Sequence, residues 1–485
     1  MSHSFALLPL DDRPCNLEQN ELLVSIAGIE LSVPPKTLFP AATDKTTPYD
    51  YEGMKHWVTS QASKATAFAL STDCFLYGGL VRSRKMEITL EEVRTRIGDL
   101  KRIIEAHPQT RFYLFSVLLR LSITINSSQS EADWKNIFEY SVLSDQLKTN
   151  PGLKGKLAEL KLKIPAPLLE EYLAVRQRNH EVNLGLLELG EKVAGLVYGQ
   201  EDCAEFGLHR LEKLALSERA QNFKDKVLIL NGADELGSLC LLKAYMDQHH
   251  VVPGSIPLWL KYSSESAKLL ISRYEDVSVD ENLKLHLKYS PFYEASSGQK
   301  VLIWTFPKSG QGDLCLNTKV PANLDSESLN LLHGFHEGDA ILDLNFANGA
   351  HPKLMLELSS KFDRLSAFSA WNTTGNRLGT LIAQLGFQAV AKKAGELQAP
   401  KNKRYLAIRV LDDYLYQSVV RPLVMREVKD ANLNPWDLGA AWETYSARVD
   451  LLMHQQAEKV GIDWTPPFKV RLPWARLFEA SIQFL

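Results

Sequence analysis

The sequence predicts an α/β fold in which parallel strands alternate with helices. Three observations predict it: short, nearly continuous apolar runs recur along the chain; each run stops at polar or glycine-rich residues; and stretches with helical spacing lie between them. Such runs are what strands covered on both faces look like, and strand-then-helix alternation builds a parallel sheet through right-handed crossovers.

The strand candidates follow in order. The run at 5–10 stops at Asp11-Asp12-Arg13-Pro14, and the run at 67–72 stops at Asp73, ahead of Tyr77-Gly78-Gly79. The run at 112–119 stops at Arg120, and the run at 227–230 stops at Asn231-Gly232-Ala233-Asp234-Glu235. Later runs at 257–260, 301–304, 340–344 and 365–369 stop at Lys261, at Thr305-Phe306-Pro307, at Asn345, and at Ala370-Trp371-Asn372-Thr373. Between them, Thr89-Leu90-Glu91-Glu92 is a capping-box pattern that opens a helix running to 106. Further helices are expected at 236–248, 352–361 and 374–393. Eight candidate strands permit a barrel-like closure or two consecutive doubly wound sheets.

The expected organisation has four parts. Residues 1–127 form the first half of the α/β core, and 128–222 form a helical insertion, with long helical periodicity at 170–197. Residues 223–398 form the second half, and 399–485 a mixed helical C-terminal segment. In that last segment 404–409 reads as a further strand and 412–429 as a helix.

Composition bounds the function. The chain has 485 residues, 45% of them hydrophobic and 23% charged, with a net charge of -3. That is ordinary globular material with no basic excess to attract nucleic acid or an anionic membrane. The apolar run near the start meets two aspartates at once, which is not a signal peptide, and no stretch of about 18 apolar residues suggests a membrane span. The five cysteines are scattered, odd in number and without a CxxC pair. They read as reduced thiols of a cytoplasmic protein, neither a disulfide framework nor a zinc site.

In parallel α/β folds ligands bind at the C-terminal ends of the strands. The residues expected there are rich in carboxylates and amides and poor in histidine. Asp11 and Asp12 follow an apolar run directly, so one acid faces a cleft, or Asp12 caps a turn and pairs with Arg13. Asp234 and Glu235 stand where a helix begins; either the helix dipole favours their charge, or one of them faces the cleft, with Gly232 allowing close ligand approach. Asp73 precedes a glycine pair and two arginines, Arg82 and Arg84. Trp371 offers an aromatic face and Asn372 and Asn376 amides that suit hydroxyl groups, though a buried Trp and a capped helix fit equally. Asp343, inside an apolar run, reads as a buried, paired acid, and 274–276 as a solvated loop. No GxSxG, HExxH or phosphate-loop pattern is convincing.

Taken together, LLPLDDRP at 7–14, STD and YGGLVRSR within 71–84, GADE at 232–235, YED at 274–276, NGA at 348–350 and WNTTGNRLGT at 371–380 resemble the uncharacterised bacterial family catalogued as domain of unknown function 4127. The resemblance implies no activity; it implies that the strand-end residues form one site. The sequence departs from the family pattern at His351, where an Asp is expected after NGA.

The leading functional expectation is a carbohydrate-active hydrolase of glycosidase type. Without a histidine cluster, proton transfer falls to carboxylates, and two carboxylates with an aromatic platform and amides are what glycosidases use. Asp73 and Glu235 are the first candidates for the catalytic pair, with Asp12 third. Asp11, Arg13, Tyr77, Arg120, Asn231, Asp234, Asn345, Asn348, Trp371, Asn372 and Asn376 are the candidate substrate-binding residues. No cofactor or metal ligand set is expected, and the expected partner is a small, sugar-like molecule. Two alternatives stand beside this reading: a divalent-metal-dependent enzyme acting on a phosphorylated or acidic sugar, and a non-catalytic sugar-binding or regulatory protein.

Overall fold

The computed structural model describes residues 4–39, 48–124, 128–223, 226–305, 311–316, 319–321 and 323–485. The chain packs as two compact units. The first comprises Met1–Asp12, Ile29–Ala244 and Tyr274–Asp276; the second comprises Arg13–Gly28, Tyr245–Arg273 and Val277–Leu485.

The first unit is built on β1 (Ser4–Leu8), β2 (Glu30–Ser32), β3 (Ala67–Ser71), β4 (Arg111–Leu118), β5 (Gly195–Gln200) and β6 (Val227–Asn231). They form one sheet in the order β2-β1-β3-β4-β5-β6, parallel throughout. Every residue of β3 is buried, which is why its run is continuously apolar and not alternating. Phe68 pairs in register with Phe112, and their rings stack at 5.8 Å. The helix Leu90–Ala106 starts where its capping pattern predicts, with the Thr89 hydroxyl accepting the N–H of Glu92 at 3.2 Å. It turns Val93, Leu100, Ile103 and Ile104 into the core.

The stretch 128–222 is not wholly helical, because it contributes β5 to the interior of this sheet. Helical periodicity read through to 197 hid the strand; the helix Ala166–Leu186 stops before it. Two glycines in β5 weaken its strand signature. Gly199 has a packing reason: a Cβ there would overlap the carbonyl oxygen of Gly232 in the turn after β6. The unit also runs on to Ala244, so β6 and the first part of its helix Leu236–Gln248 belong with the first sheet.

The second unit holds β7 (Ile256–Tyr262), β8 (Phe292–Ala295), β9 (Gln299–Trp304), β10 (Gly312–Asp313), β11 (Ala340–Asp343), β12 (Phe346–Ala347) and β13 (Ala367–Ser369). Five of them form a parallel sheet in the order β13-β11-β9-β7-β8, and β10 pairs with β12. Two separate open sheets thus replace the barrel alternative. Phe306 and Pro307, expected to end the run at 301–304, lie outside the described residues. A final antiparallel pair, β14 (Phe468–Arg471) and β15 (Ser481–Phe484), packs with the helix Trp442–Lys459.

Residues 404–409 are helical, not a strand. They belong to Ala399–Arg409, which begins with Pro400 in its first turn. Four apolar residues in a row fit either state, and the proline start and lysine-rich first turns decide for helix. Val410–Val420 continues as a π-helix and Arg421–Asp430 as an α-helix. The apolar sides of these helices form one cluster with β11, β13 and the final strands.

Candidate functional site

In the first sheet β1 lies between β2 and β3, so the chain leaves β1 for one side and later returns to the other. Reversal of this kind opens a crevice at the C-terminal ends of the two strands. Asp11 and Asp12 follow β1, and Asp73 follows β3. The glycine pair closes on the same place. Gly78 and Gly79 have φ of +87° and +125°, and a Cβ on Gly79 would lie 3.3 Å from the Leu10 oxygen and 3.4 Å from the Asp11 Cβ. Burial first, then the charges of Asp11, Asp12 and Asp73, holds the Cys74 thiol well above its ordinary range.

Asp73 sits in the first turn of the helix Thr72–Tyr77, 3% exposed. Its Oδ2 accepts the N–H of Val117 at 2.8 Å. Burial is the main force on its carboxyl and drives it upward; Val117 and Arg84 oppose, Glu201 assists, and the group reaches about 7. Arg84 is itself paired with Glu201 and donates to the Thr124 hydroxyl at 2.9 Å. Arg120 pairs with Asp202. Tyr77 is buried beneath Arg178, whose guanidinium lies 4.6 Å from its ring and holds the carbonyls of Ser83, Lys85 and Ile88.

At the end of β6 the Asn231 amide donates to Glu275 at 2.7 Å and to Asp276 at 2.8 Å. Asp276 also takes Lys213 at 2.8 Å and Gln200 at 3.1 Å. Residues 274–276 are therefore not a solvated loop: Glu275 is buried, and both acids complete a polar network that no local pattern foretells. Asp234 and Glu235 are buried just ahead of the helix Leu236–Gln248. The Glu235 carboxylate folds back onto Gly232, whose φ is +115°.

In the second unit, Asp343 ends β11 fully buried. It accepts the N–H and side-chain amide of Asn345 at 3.0 and 2.8 Å, and the N–H of His351 at 2.6 Å. Asn345, Asn372 and the start of the helix Thr374–Ala394 line a small pocket with a volume of about 10 Å³, room for one water. Arg377 braces its wall, donating to the carbonyls of Asp343, Phe346 and Asn372. Asn376 donates to the Thr373 hydroxyl at 3.1 Å. Asn348, at φ +60°, donates to Asp313 at 2.9 Å, while its carbonyl takes Arg421 at 2.8 Å. Trp371 is buried beside Phe478, and Arg13 lies 6.0 Å from the Trp474 ring. Asp12, Asp73, Arg120 and Glu235 thus belong to the first unit, and Arg13, Asn345 and Asn372 to the second.

A family model described as protein of unknown function (DUF4127) matches residues 5–483. The chain belongs to the DUF4127 family. No curated protein matches the sequence. Among solved structures, an α-glucosyltransferase in complex with UDP and a 13-mer DNA containing a HMU base is similar at TM-score 0.22 and 10% identity, over 89% of this chain and 99% of that one. A likeness of that size carries no argument about function.

The DUF4127 chain has one group with the donor types of a metal site among its described residues. Cys203, His209 and Asp276 bring ligand atoms within 4.8 Å of one another. Burial above all lowers His209 to about 4, so its ring is neutral, the form that ligates. Asp276 is held below the usual carboxylate range: burial opposes this, and Lys213 and Asn231 outweigh it. Against a bound ion stand the Lys213 ammonium on Asp276 and the Cys203 thiol, which burial, then the charges of Asp276 and Glu275, hold well above its ordinary range and which donates to the Tyr274 carbonyl at 3.3 Å.

Several of these residues carry no local signal in the DUF4127 sequence. Cys203 follows β5, and His209 and Lys213 stand on the helix Leu208–Ala220, far in sequence from Asp276. Ser272 and Gln311 reach the pocket from loops, and Arg409 pairs with Asp412 and Asp413 inside the helical tail. The buried acid pair Asp412-Asp413 after an apolar run was the one readable sign of that last network.

Proposed function

We propose that the chain is a carbohydrate-active hydrolase whose proton transfer is carried by a carboxylate at the C-terminal edge of the first sheet. The observation that supports this most is Asp73. It lies beside the strand-order reversal, where ligands of open α/β sheets bind, and its carboxyl is raised to about 7 by burial. A general acid must hold its proton near neutral pH and release it to a leaving group, and a buried aspartic acid does so. Asp12 and Glu235 are the partners in the same unit from which a base or nucleophile is drawn.

The test is a panel of nitrophenyl glycosides, with Asp73→Asn and Glu235→Gln beside the unaltered protein. Turnover should fall by about 10²–10⁴-fold on loss of either group. Full activity in Asp73→Asn on a confirmed substrate would overturn the assignment.

A second reading, a divalent-metal-dependent enzyme on an acidic sugar, is favoured by the Cys203–His209–Asp276 group alone. Activity that disappears in chelator and returns with Zn²⁺ or Mn²⁺ would move the conclusion there.

A further inference from the structure

We infer that the buried guanidinium of Arg421, with the indole N–H of Trp371, forms a binding site for an oxyanion, the carboxylate or phosphate group of a ligand. The inference does not rest on the hydrolase reading, since both residues belong to the second unit.

Arg421 is 1% exposed, and an arginine keeps its charge in any protein setting. A guanidinium carries five N–H groups. Here Nη2 donates to the Asn348 carbonyl at 2.8 Å, while Nε and Nη1 have no hydrogen-bond partner. Whichever Nη2 hydrogen Asn348 takes, one edge of the planar fork keeps two N–H groups, the shape that a pair of carboxylate or phosphate oxygens matches. No carboxylate of the described residues forms an ion pair with Arg421. Asp412, an acid that feels its charge, is held by Arg409 at 3.2 Å and by Gln417 and Gln19 at 3.1 Å each. Buried charges are paired as a rule. A water can accept the spare hydrogen bonds but leaves the charge unbalanced; an anion answers both.

Trp371 supplies a second donor. It is 5% exposed, its Nε1 has no hydrogen-bond partner, and an indole nitrogen can only donate. Trp371 and Arg421 lie against the same ring: Phe478 is 6.1 Å from the Trp371 ring and 5.9 Å from the guanidinium. The backbone joins them as well, because Asn348, which anchors Arg421, donates its N–H at 3.0 Å to the carbonyl of Asn372, next to Trp371. Phe478 and its neighbour Trp436 are only half-buried, so the cluster reaches the surface. Arg476, 5.6 Å from the Phe478 ring, is neutralised by Glu479 at 2.8 Å and leaves Arg421 as the uncompensated charge.

The segment before Arg421 holds it in place. Val410–Val420 is a π-helix, a rare winding found often at functional sites. Within it, Asp413 accepts the N–H of Ala370 at 2.7 Å, and the Ser418 hydroxyl donates to the Ala350 carbonyl at 2.7 Å. Ala350 and Ala370 stand in the turns after β12 and β13. The wide helix is thus fastened beyond the C-terminal ends of these strands and delivers Arg421 to the edge where open α/β sheets bind ligands.

The experiment follows the indole N–H signals of the full chain by NMR, with Trp371→Phe identifying the Trp371 signal. The probes are inorganic phosphate, acetate and chloride at one ionic strength. Saturable movement of the Trp371 signal with phosphate or acetate is expected, and the tighter of the two identifies the anion. Chloride should bind at least about tenfold more weakly, since it offers one acceptor atom where the fork takes two. Arg421→Lys keeps the charge but not the fork and should weaken the oxyanion by about tenfold or more. Its melting temperature, measured alongside, shows that the fold persists. No saturable movement with either oxyanion, an equal response to chloride, or unchanged affinity in folded Arg421→Lys would each overturn the inference. The first two are read on the unaltered protein and stand whether or not Arg421→Lys folds.

Discussion

The Asp73 carboxylate accepts the main-chain N–H of Val117 at 2.8 Å and so ties the end of β3 to its neighbour β4. Asparagine keeps an oxygen for that bond but cannot ionise. The folded protein holds the Asp73 proton up to about pH 7, whereas an unfolded aspartate releases it near pH 3.9. Between those values the folded state binds more protons, so stability falls as pH rises through the window and levels off above it. Asp73→Asn should therefore melt a few degrees above the unaltered protein at pH 8, with the gain shrinking toward pH 4. Thermal melts across that range check this; a lower melting point at pH 8 would assign Asp73 a structural ionised role instead.

Asp343→Asn should behave in the opposite way. Asp343 is buried and accepts three N–H groups, from Asn345 twice and from His351 once. An amide offers one oxygen, and its NH₂ must face a donor. Leaving a donor unsatisfied costs about 1–3 kcal/mol, and more for partners of a charged group. Urea unfolding should show the midpoint moved down by at least that amount, with the slope unchanged.

Gly232→Ala tests the turn after β6. Its φ of +115° strains any L side chain, and a Cβ would collide with the Glu235 carboxylate. The expected loss is about 1–3 kcal/mol from the backbone alone. If Gly232→Ala unfolds at the same denaturant concentration as the unaltered protein, the Glu235 side chain is free to leave its place over the turn.

The pair Lys213–Asp276, 2.8 Å apart, sets a pH dependence of the other sign. Asp276 is held below the usual carboxylate range, so its stabilisation is full above the unfolded value near pH 3.9 and is lost as pH falls through the folded one. Lys213→Met leaves a largely buried carboxylate without its cation and should destabilise by about 3 kcal/mol at pH 7. The gap should narrow below pH 4. A constant gap from pH 7 to pH 3 would show that the lysine stem, not its charge, does the holding.

Much of the architecture was legible because parallel strands buried on both faces leave uninterrupted apolar runs. Eight of the sheet strands, β1, β3, β4, β6, β7, β9, β11 and β13, lie on runs read from the sequence. β5 escaped because Gly195 and Gly199 dilute its run and a helix precedes it closely. The helix at 404–409 was misread because four apolar residues carry no period of their own. At the site, acids next to strand ends were visible as Asp11, Asp12, Asp73 and Glu235. The network of Asn231 with Glu275 and Asp276 was half visible: the amide stood at a strand end, but its acidic partners come from 44 and 45 positions away. Contacts at that separation are written in the fold and leave no spacing in the chain.

The π-helix at Val410–Val420 has a consequence for how this chain tolerates change. Each wide turn holds one residue more than an α-turn, so the stretch fixes the rotational phase of the helix that follows. Removing a single residue there and reverting to α winding would rotate Arg421–Asp430 by about 100°. Arg421 would swing off the carbonyl of Asn348, and Val424 and Val428 would leave the core they fill. Substitutions in this segment act one side chain at a time, whereas a gap of one acts on every residue downstream to the end of the helix.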